Sequence, residues 1–321
     1  MTLLIWGVNH RMAWMAGDNR YYLSPNRKFD SANKVFEIEA SNARGLIGYA
    51  GVGARVQPDN SLLEISSWLE NLFDGHGFTL EQALGRIRDA AIKRKFGALS
   101  GFSHSFAFAG FHEDKPLSVV LMSKPESGTV AVTAFNPQSG KTQVYNIEEE
   151  YKPISSSPAN GQTVGGRLGS GARFVTNRDI MLAARIMNTR KVDWQAARRV
   201  QAYLARMIVK TSKKEGDRTV GPECLFAVRY ARSGGFHNWN PKNSPNNTNG
   251  ILPGISKGGW KNTVFHGLLI ETLMKPMLEA GEKQFSDKAE DKVAMIKRNE
   301  DAAKEFTDRI NKVRRRPSDD F

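Results

Sequence analysis

Thr2, Asp18 and Lys34 are the residues whose types and spacing could do chemistry in this chain. Thr2 opens the apolar run Thr2-Leu3-Leu4-Ile5-Trp6-Gly7-Val8, Asp18 and Arg20 close the strand that follows, and Lys34 opens Lys34-Val35-Phe36-Glu37-Ile38. Removal of Met1 would leave Thr2 with a hydroxyl nucleophile and a free amine on one residue. Such an amine titrates near pH 8, so at neutral pH part of it can take the proton from its own hydroxyl. Lys34 could hold a positive charge near the threonine, and Asp18 could keep that ammonium ionised and oriented. A lysine inside an apolar strand is buried only in company with a carboxylate, which favours pairing of the two. The expectation is an N-terminal-threonine hydrolase. Threonine is small enough for the initiator methionine before it to be trimmed.

Positioning three such groups needs a packed scaffold, and the composition can supply one. The chain has 321 residues with 40% hydrophobic content, enough for one large domain with appendages or two modest ones. No window approaches the ~20 apolar residues of a membrane helix, and no secretory signal opens the chain, so a cytoplasmic location without membrane contact is expected. The single cysteine, Cys224, lies in an apolar run and reads as a core residue, not as a thiol nucleophile or metal ligand. Lysine and arginine number 46 against 33 acidic residues, a net charge of +13 that favours polyanions or acidic surfaces. These cations fall on helical faces and in the tail without interleaved aromatics, so solvated surface or subunit contact is expected ahead of a nucleic-acid site.

The elements follow in blocks. Residues 2–8 and 11–17 read as a hairpin about Asn9-His10, and strands from Lys34 and from Gly45 to Gly51 continue a first sheet. Leu62, Leu63, Ile65, Trp68, Leu69 and Leu72 recur at helical spacing, as do Leu80, Ala83, Leu84, Ile87, Ala90 and Ala91 after the capping candidate Thr79. A second strand block covers 105–111, 118–122 and a hairpin turning at 137–140. A polar stretch from Ser155 to Gly166 precedes Gly169-Ser170-Gly171, helices at about 176–188 and 193–214, and a strand from Glu223 to Tyr230. Strand blocks alternating with helix pairs argue for two stacked sheets with helices outside.

On these residues, 1–231 resemble a proteasome beta-type subunit of the N-terminal-nucleophile (Ntn) hydrolase superfamily. The spacing of Thr2, Asp18 and Lys34, the segment Ala16-Gly17-Asp18-Asn19-Arg20 against that family's Ala-Ala-Asp-Ser-Arg, and Lys34-Val35-Phe36-Glu37-Ile38 against its Lys-Val-x-x-Ile carry the resemblance. It implies an α+β fold, a four-layer αββα sandwich, with a C-terminal helical extension. Tyr49-Ala50-Gly51 resembles the segment whose glycine amide faces the substrate carbonyl. This makes Gly51 the expected oxyanion donor, since glycine lets backbone approach closely. Tyr49 beside it is expected to line the substrate pocket. Gly169-Ser170-Gly171 and the stretch from Asp217 to Gly221 resemble two further motifs, which makes Ser170 and Asp217 the expected outer hydrogen-bond shell of the threonine amine. Val220 stands where the family has a serine. Thr219 beside it would point away if the segment is extended.

The implied activity is threonine-type peptide hydrolysis without metal or organic cofactor, on peptide or unfolded protein, in a homo-oligomeric ring or helical stack for which an unfoldase is a candidate partner. Two rivals stay open. One is a small-molecule amidohydrolase using the same residues, and the other is a noncatalytic scaffold or nucleic-acid-binding protein. Residues 232–262, rich in Gly, Asn and Pro, are expected as a loop, with His237 and His266 too isolated to hold a metal. Residues 263–321 are expected as a helical extension, with helices at about 263–280 and 284–315. The apolar stripe Phe285, Ala289, Val293, Ile296, Ala303, Phe306, Ile310 and Val313 in the second would suit intersubunit packing.

Overall fold

A computed structural model describes residues 2–231 except 25–26, 30–31, 52, 57–60, 74–77, 97–103, 124–128, 136–141, 147–148, 160, 190–192 and 215–218, and beyond them 235–240, 254–255, 301 and 304. Strands β1 (Leu4–Val8), β2 (Met12–Asp18), β3 (Tyr21–Ser24), β4 (Arg27–Phe29), β5 (Val35–Glu39), β6 (Ala43–Ala50), β7 (Ala54–Val56) and β8 (Leu62–Glu64) precede helices α1 (Ile65–Phe73) and α2 (Leu80–Lys93). There follow β9 (Ser105–His112), β10 (Lys115–Met122), β11 (Thr129–Phe135), β12 (Thr142–Asn146), β13 (Ile154–Ser156) and β14 (Val164–Leu168), then α3 (Asn177–Thr189), α4 (Asp193–Lys214), β15 (Cys224–Tyr230), β16 (Gly235–Asn240) and β17 (Gly254–Ile255).

The fold is α+β. Of the two large sheets, one has the order β12-β11-β14-β1-β2-β15-β16 and the other β13-β10-β9-β6-β5-β17, each antiparallel except for the parallel pairing of β17 with β5, while β3-β4 and β7-β8 form small two-stranded sheets. Alternation along β1 explains how the first sheet is used on both faces. Leu4, Trp6 and Val8 join a core with Val35, Leu46, Ala107 and Val120 of the other sheet. Leu3 and Ile5 join Ile180 and Met187 of α3 and Val200, Leu204 and Ile208 of α4. On the second sheet, Phe36, Ile47, Tyr49, Phe106 and Phe108 meet Trp68 and Leu69 of α1 and Leu84 and Ile87 of α2. Burying these stripes stabilises the chain in proportion to apolar area.

The local signals explain several boundaries. Asn9 closes the β1–β2 turn, its side-chain oxygen accepting from the amides of Arg11 and Met12. Thr79 caps α2 with a full capping box, its hydroxyl accepting from the Gln82 amide while Gln82 reaches back to the Thr79 amide. Cys224 is buried in the core beneath α4, and burial pushes its thiol up, with Asp18 adding to the shift. Among the described residues no helix is long and apolar enough to cross a membrane.

The strands from Lys34 and Gly45, expected to continue the sheet of the first hairpin, are instead β5 and β6 of the other sheet, because they pair with each other and with β9. Other segments also differ from expectation. Leu62 and Leu63 belong to strand β8 and not to a helix, because α1 starts at Ile65, whose amide donates to the Gly53 carbonyl at 2.9 Å. The polar stretch from Ser155 to Gly166 contributes to β13 and β14, which pair with β10 and β1. Gly235–Asn240, expected within a loop, is a strand in register with β15 from Cys224↔Asn240 to Arg229↔Gly235. Its polar composition suits the end of the sheet, where it lies. The expected helices at 263–280 and 284–315 lie outside the described residues, except Asp301 and Lys304, which are helical and exposed.

Candidate active site

Thr2 precedes β1, Asp18 ends β2 and Lys34 precedes β5, so the strand pairing fixes where the three side chains can meet. Leu4 pairs with Gly17, and the Asp18 amide donates to the Leu3 carbonyl at 3.2 Å, which sets Asp18 beside the start of the chain. Lys34 comes from the other sheet, where its carbonyl accepts from the Tyr49 amide at 3.2 Å. Thr2, Asp18 and Lys34 are 1%, 0% and 0% exposed, so their mutual contacts replace water.

The structure brings these three residues together. The Thr2 hydroxyl donates to Asp18 Oδ1 at 2.5 Å, and Lys34 Nζ donates to Asp18 Oδ2 at 2.9 Å and also to Thr2 Oγ1. Backbone amides of Leu3, Arg20 and Gly221 donate to the same carboxylate at 2.7, 3.1 and 3.0 Å. Burial by itself would raise the Asp18 pKa. The Lys34 charge and the bonds from Gly221, Thr2 and Leu3 outweigh it and hold the carboxyl below its usual range. Asp18 is thereby fixed as a weakly basic anion.

The Gly169-Ser170-Gly171 turn wraps the backbone of Thr2. Gly169 adopts φ +91°, and a Cβ there would lie 2.0 Å from the Thr2 carbonyl oxygen, so the turn requires glycine on both counts. The Gly171 amide donates to that carbonyl at 3.2 Å. Ser170 Oγ lies 3.2 Å from Thr219 Oγ1. Residues 219 and 220 form a bend, so the period-2 alternation of an extended segment does not apply, and the Thr219 hydroxyl meets Ser170. Val220, by contrast, is buried in the core beneath α4. The signal for Thr219 was its hydroxyl beside Val220, readable only with the backbone known. Asp217 lies outside the described residues.

Gly51 follows β6 directly, is buried and has φ +116°, a region that favours glycine. It stands two residues beyond Tyr49, which is bonded to Lys34. Tyr49 itself is a correction. It is 0% exposed and packs with Phe36 and His104 on the helix-facing side of its sheet, so it belongs to the core and does not line a pocket. Ile47 and Tyr49 share that face by strand alternation, a signal its nearness to Gly51 obscured.

No protein-family model and no curated protein matches the chain. Among solved structures, the helical assembly of the Anbu complex from Pseudomonas aeruginosa is similar at 9% identity, covering 91% of this chain and 99% of that one, with a TM-score of 0.45. Anbu from Hyphomicrobium sp. strain MC1 gives 10% identity, 91% and 99% coverage and a TM-score of 0.44. Anbu (ancestral beta-subunit) from Yersinia bercovieri gives 11%, 76% and 89%, and 0.43. The resemblance to proteasome beta-type subunits drawn from short motifs is corrected accordingly. Motifs of three to five residues encode local geometry, and likenesses this distant do not place the chain in that family.

Proposed function

We propose that the protein is a threonine-type peptidase in which Thr2, freed of the preceding methionine, attacks peptide amide carbonyls. The observation that supports this reading most is the Thr2 hydroxyl held between the Lys34 ammonium and the Asp18 carboxylate, all three residues being buried. Asp18 is a poor proton acceptor because its carboxyl is held below the usual range, which leaves the Thr2 amine as the base.

In the proposed reaction the hydroxyl proton passes to the amine as Oγ1 bonds to the carbonyl carbon. Lys34 Nζ, already donating to Oγ1, stabilises negative charge on that oxygen. The Gly51 amide holds the oxyanion. The carbon–nitrogen bond then breaks, the leaving amine takes the proton from the Thr2 ammonium, and an ester to Thr2 remains. Water attacks that ester, gives its proton to the amine, and hydroxyl and acid product are released. Ser170, Thr219 and Asp217 orient the amine in this reading.

The proposal extends to the architecture and its setting: helices, sheet, sheet and helices as a four-layer αββα sandwich over residues 1–231, assembled as a cytoplasmic homo-oligomer. Assembly rests on the apolar stripe in the sequence near the C-terminus. The test is digestion of unfolded casein alongside hydrolysis of N-acyl amino acids, with wild type and Thr2→Ala. Casein cleavage lost in Thr2→Ala is the expected result. Cleavage of the acyl amino acids alone would replace the peptidase with an amidase, and casein cleavage surviving in Thr2→Ala would overturn the role of Thr2.

A further inference from the structure

Near the Gly51 turn two buried hydroxyls meet, and a third lies buried without a hydrogen-bond partner among the described residues. Tyr21 Oη and Ser66 Oγ lie 2.5 Å apart, and the Tyr49 phenol is buried beside them, pushed well above its usual range by burial and then by Tyr21. The three come from different segments. Tyr21 stands three residues after Asp18, Tyr49 two residues before Gly51, and Ser66 is the second residue of α1. The chain after Gly51 is pinned at the same place. The Gly53 carbonyl accepts from the Ile65 amide, and the Tyr21 ring lies where a Gly53 side chain would stand, 2.6 Å from a Cβ built there. Ala32 and Ala54 complete a small cluster around Tyr21.

We propose that Tyr21, through its ring on Gly53 and its hydroxyl on Ser66, is a positioning residue that holds the Gly51 turn at a fixed place beside Thr2. The proposal rests on the reading of Thr2 as nucleophile and Gly51 as oxyanion donor. A donor to a developing oxyanion acts only if it is already in place when charge appears. The turn is rich in glycine, so its own backbone does little to fix it. Tyr21 links it to the segment that carries Asp18, so nucleophile support and oxyanion donor share one anchor. The ring alone would fill the space, whereas the hydroxyl bond sets its depth.

The test compares wild type with Tyr21→Phe, Ser66→Ala and Ser66→Thr on a peptide amide, with kcat expressed per Thr2 site. Those sites are counted by periodate, which oxidises a free N-terminal amino alcohol without needing an oxyanion donor. Tyr21→Phe and Ser66→Ala are expected to lower kcat roughly tenfold with KM within about twofold, and Ser66→Thr to recover most of it, because small misplacements of reacting groups carry large rate penalties. A purely structural role would lower melting temperature and site count but leave kcat per site alone. Wild-type turnover with an equally fast Tyr21→Phe would remove this inference and leave the Thr2 reading intact. Absence of turnover in a wild type with periodate-sensitive Thr2 would remove both.

Discussion

Among the described residues, two ion pairs at buried carboxylates bridge the sheets, and they differ in what stands between their partners. Lys34 and Asp18 meet at the beginning of β5 and the end of β2, with the Thr2 hydroxyl touching both. Further along, Arg229 of β15 pairs with Glu37 of β5, and its second nitrogen reaches the exposed Glu39 at 3.7 Å. Arg229 divides its fork between the buried Glu37 and the exposed Glu39. A buried pair across two sheets is therefore a structural device in general. It becomes a candidate site where a hydroxyl is inserted and one carboxylate is saturated by five donors.

Replacing the cation of each pair should break the comparison most sharply. Lys34→Met and Arg229→Met should each lose about 3–5 kcal/mol in urea unfolding, since each leaves a buried carboxylate unpaired. Only Lys34→Met should also abolish hydrolysis, by at least about 100-fold per folded site, the scale of a lost transition-state donor. Equal activity losses in the two variants would erase the distinction.

Acid provides a smaller effect. The folded-state pKa of Asp18 is depressed, so its contribution to stability is fully present above the unfolded value of 3.8 and is lost as pH falls through the folded value. Wild type should therefore lose urea stability steeply below about pH 4, and Asp18→Asn, already weaker at pH 7, should show a shallower slope there. The smallest effect concerns Thr219. Thr219→Val should lower kcat about fivefold, the equivalent of one net hydrogen bond, and Thr219→Ser should retain activity by keeping the bond to Ser170.

The reach of sequence reasoning follows from backbone regularity. Thr2, Asp18 and Lys34 could be matched because an antiparallel hairpin of fixed length brings residue 3 opposite residue 18, and a lysine in an apolar strand calls for a carboxylate. Capping at Thr79 and the helices over 177–189 and 193–214 were legible from period and cap. What failed depended on backbone without a period. The bend at 219–220 sets the Thr219 hydroxyl against Ser170, and β16 has a polar composition that pairing alone makes a strand. Tyr49 departs from expectation for the opposite reason: its place beside Gly51 suggests a pocket, whereas strand alternation aims its ring at the helices.

The most direct measurement of the central claim is intact mass after exposure to an electrophile that captures N-terminal threonine, on wild type and Thr2→Ala. The account predicts a wild-type mass lacking Met1 and carrying one adduct, with none on Thr2→Ala. A wild type that retains Met1 and activity, or an equal adduct on Thr2→Ala, would contradict it.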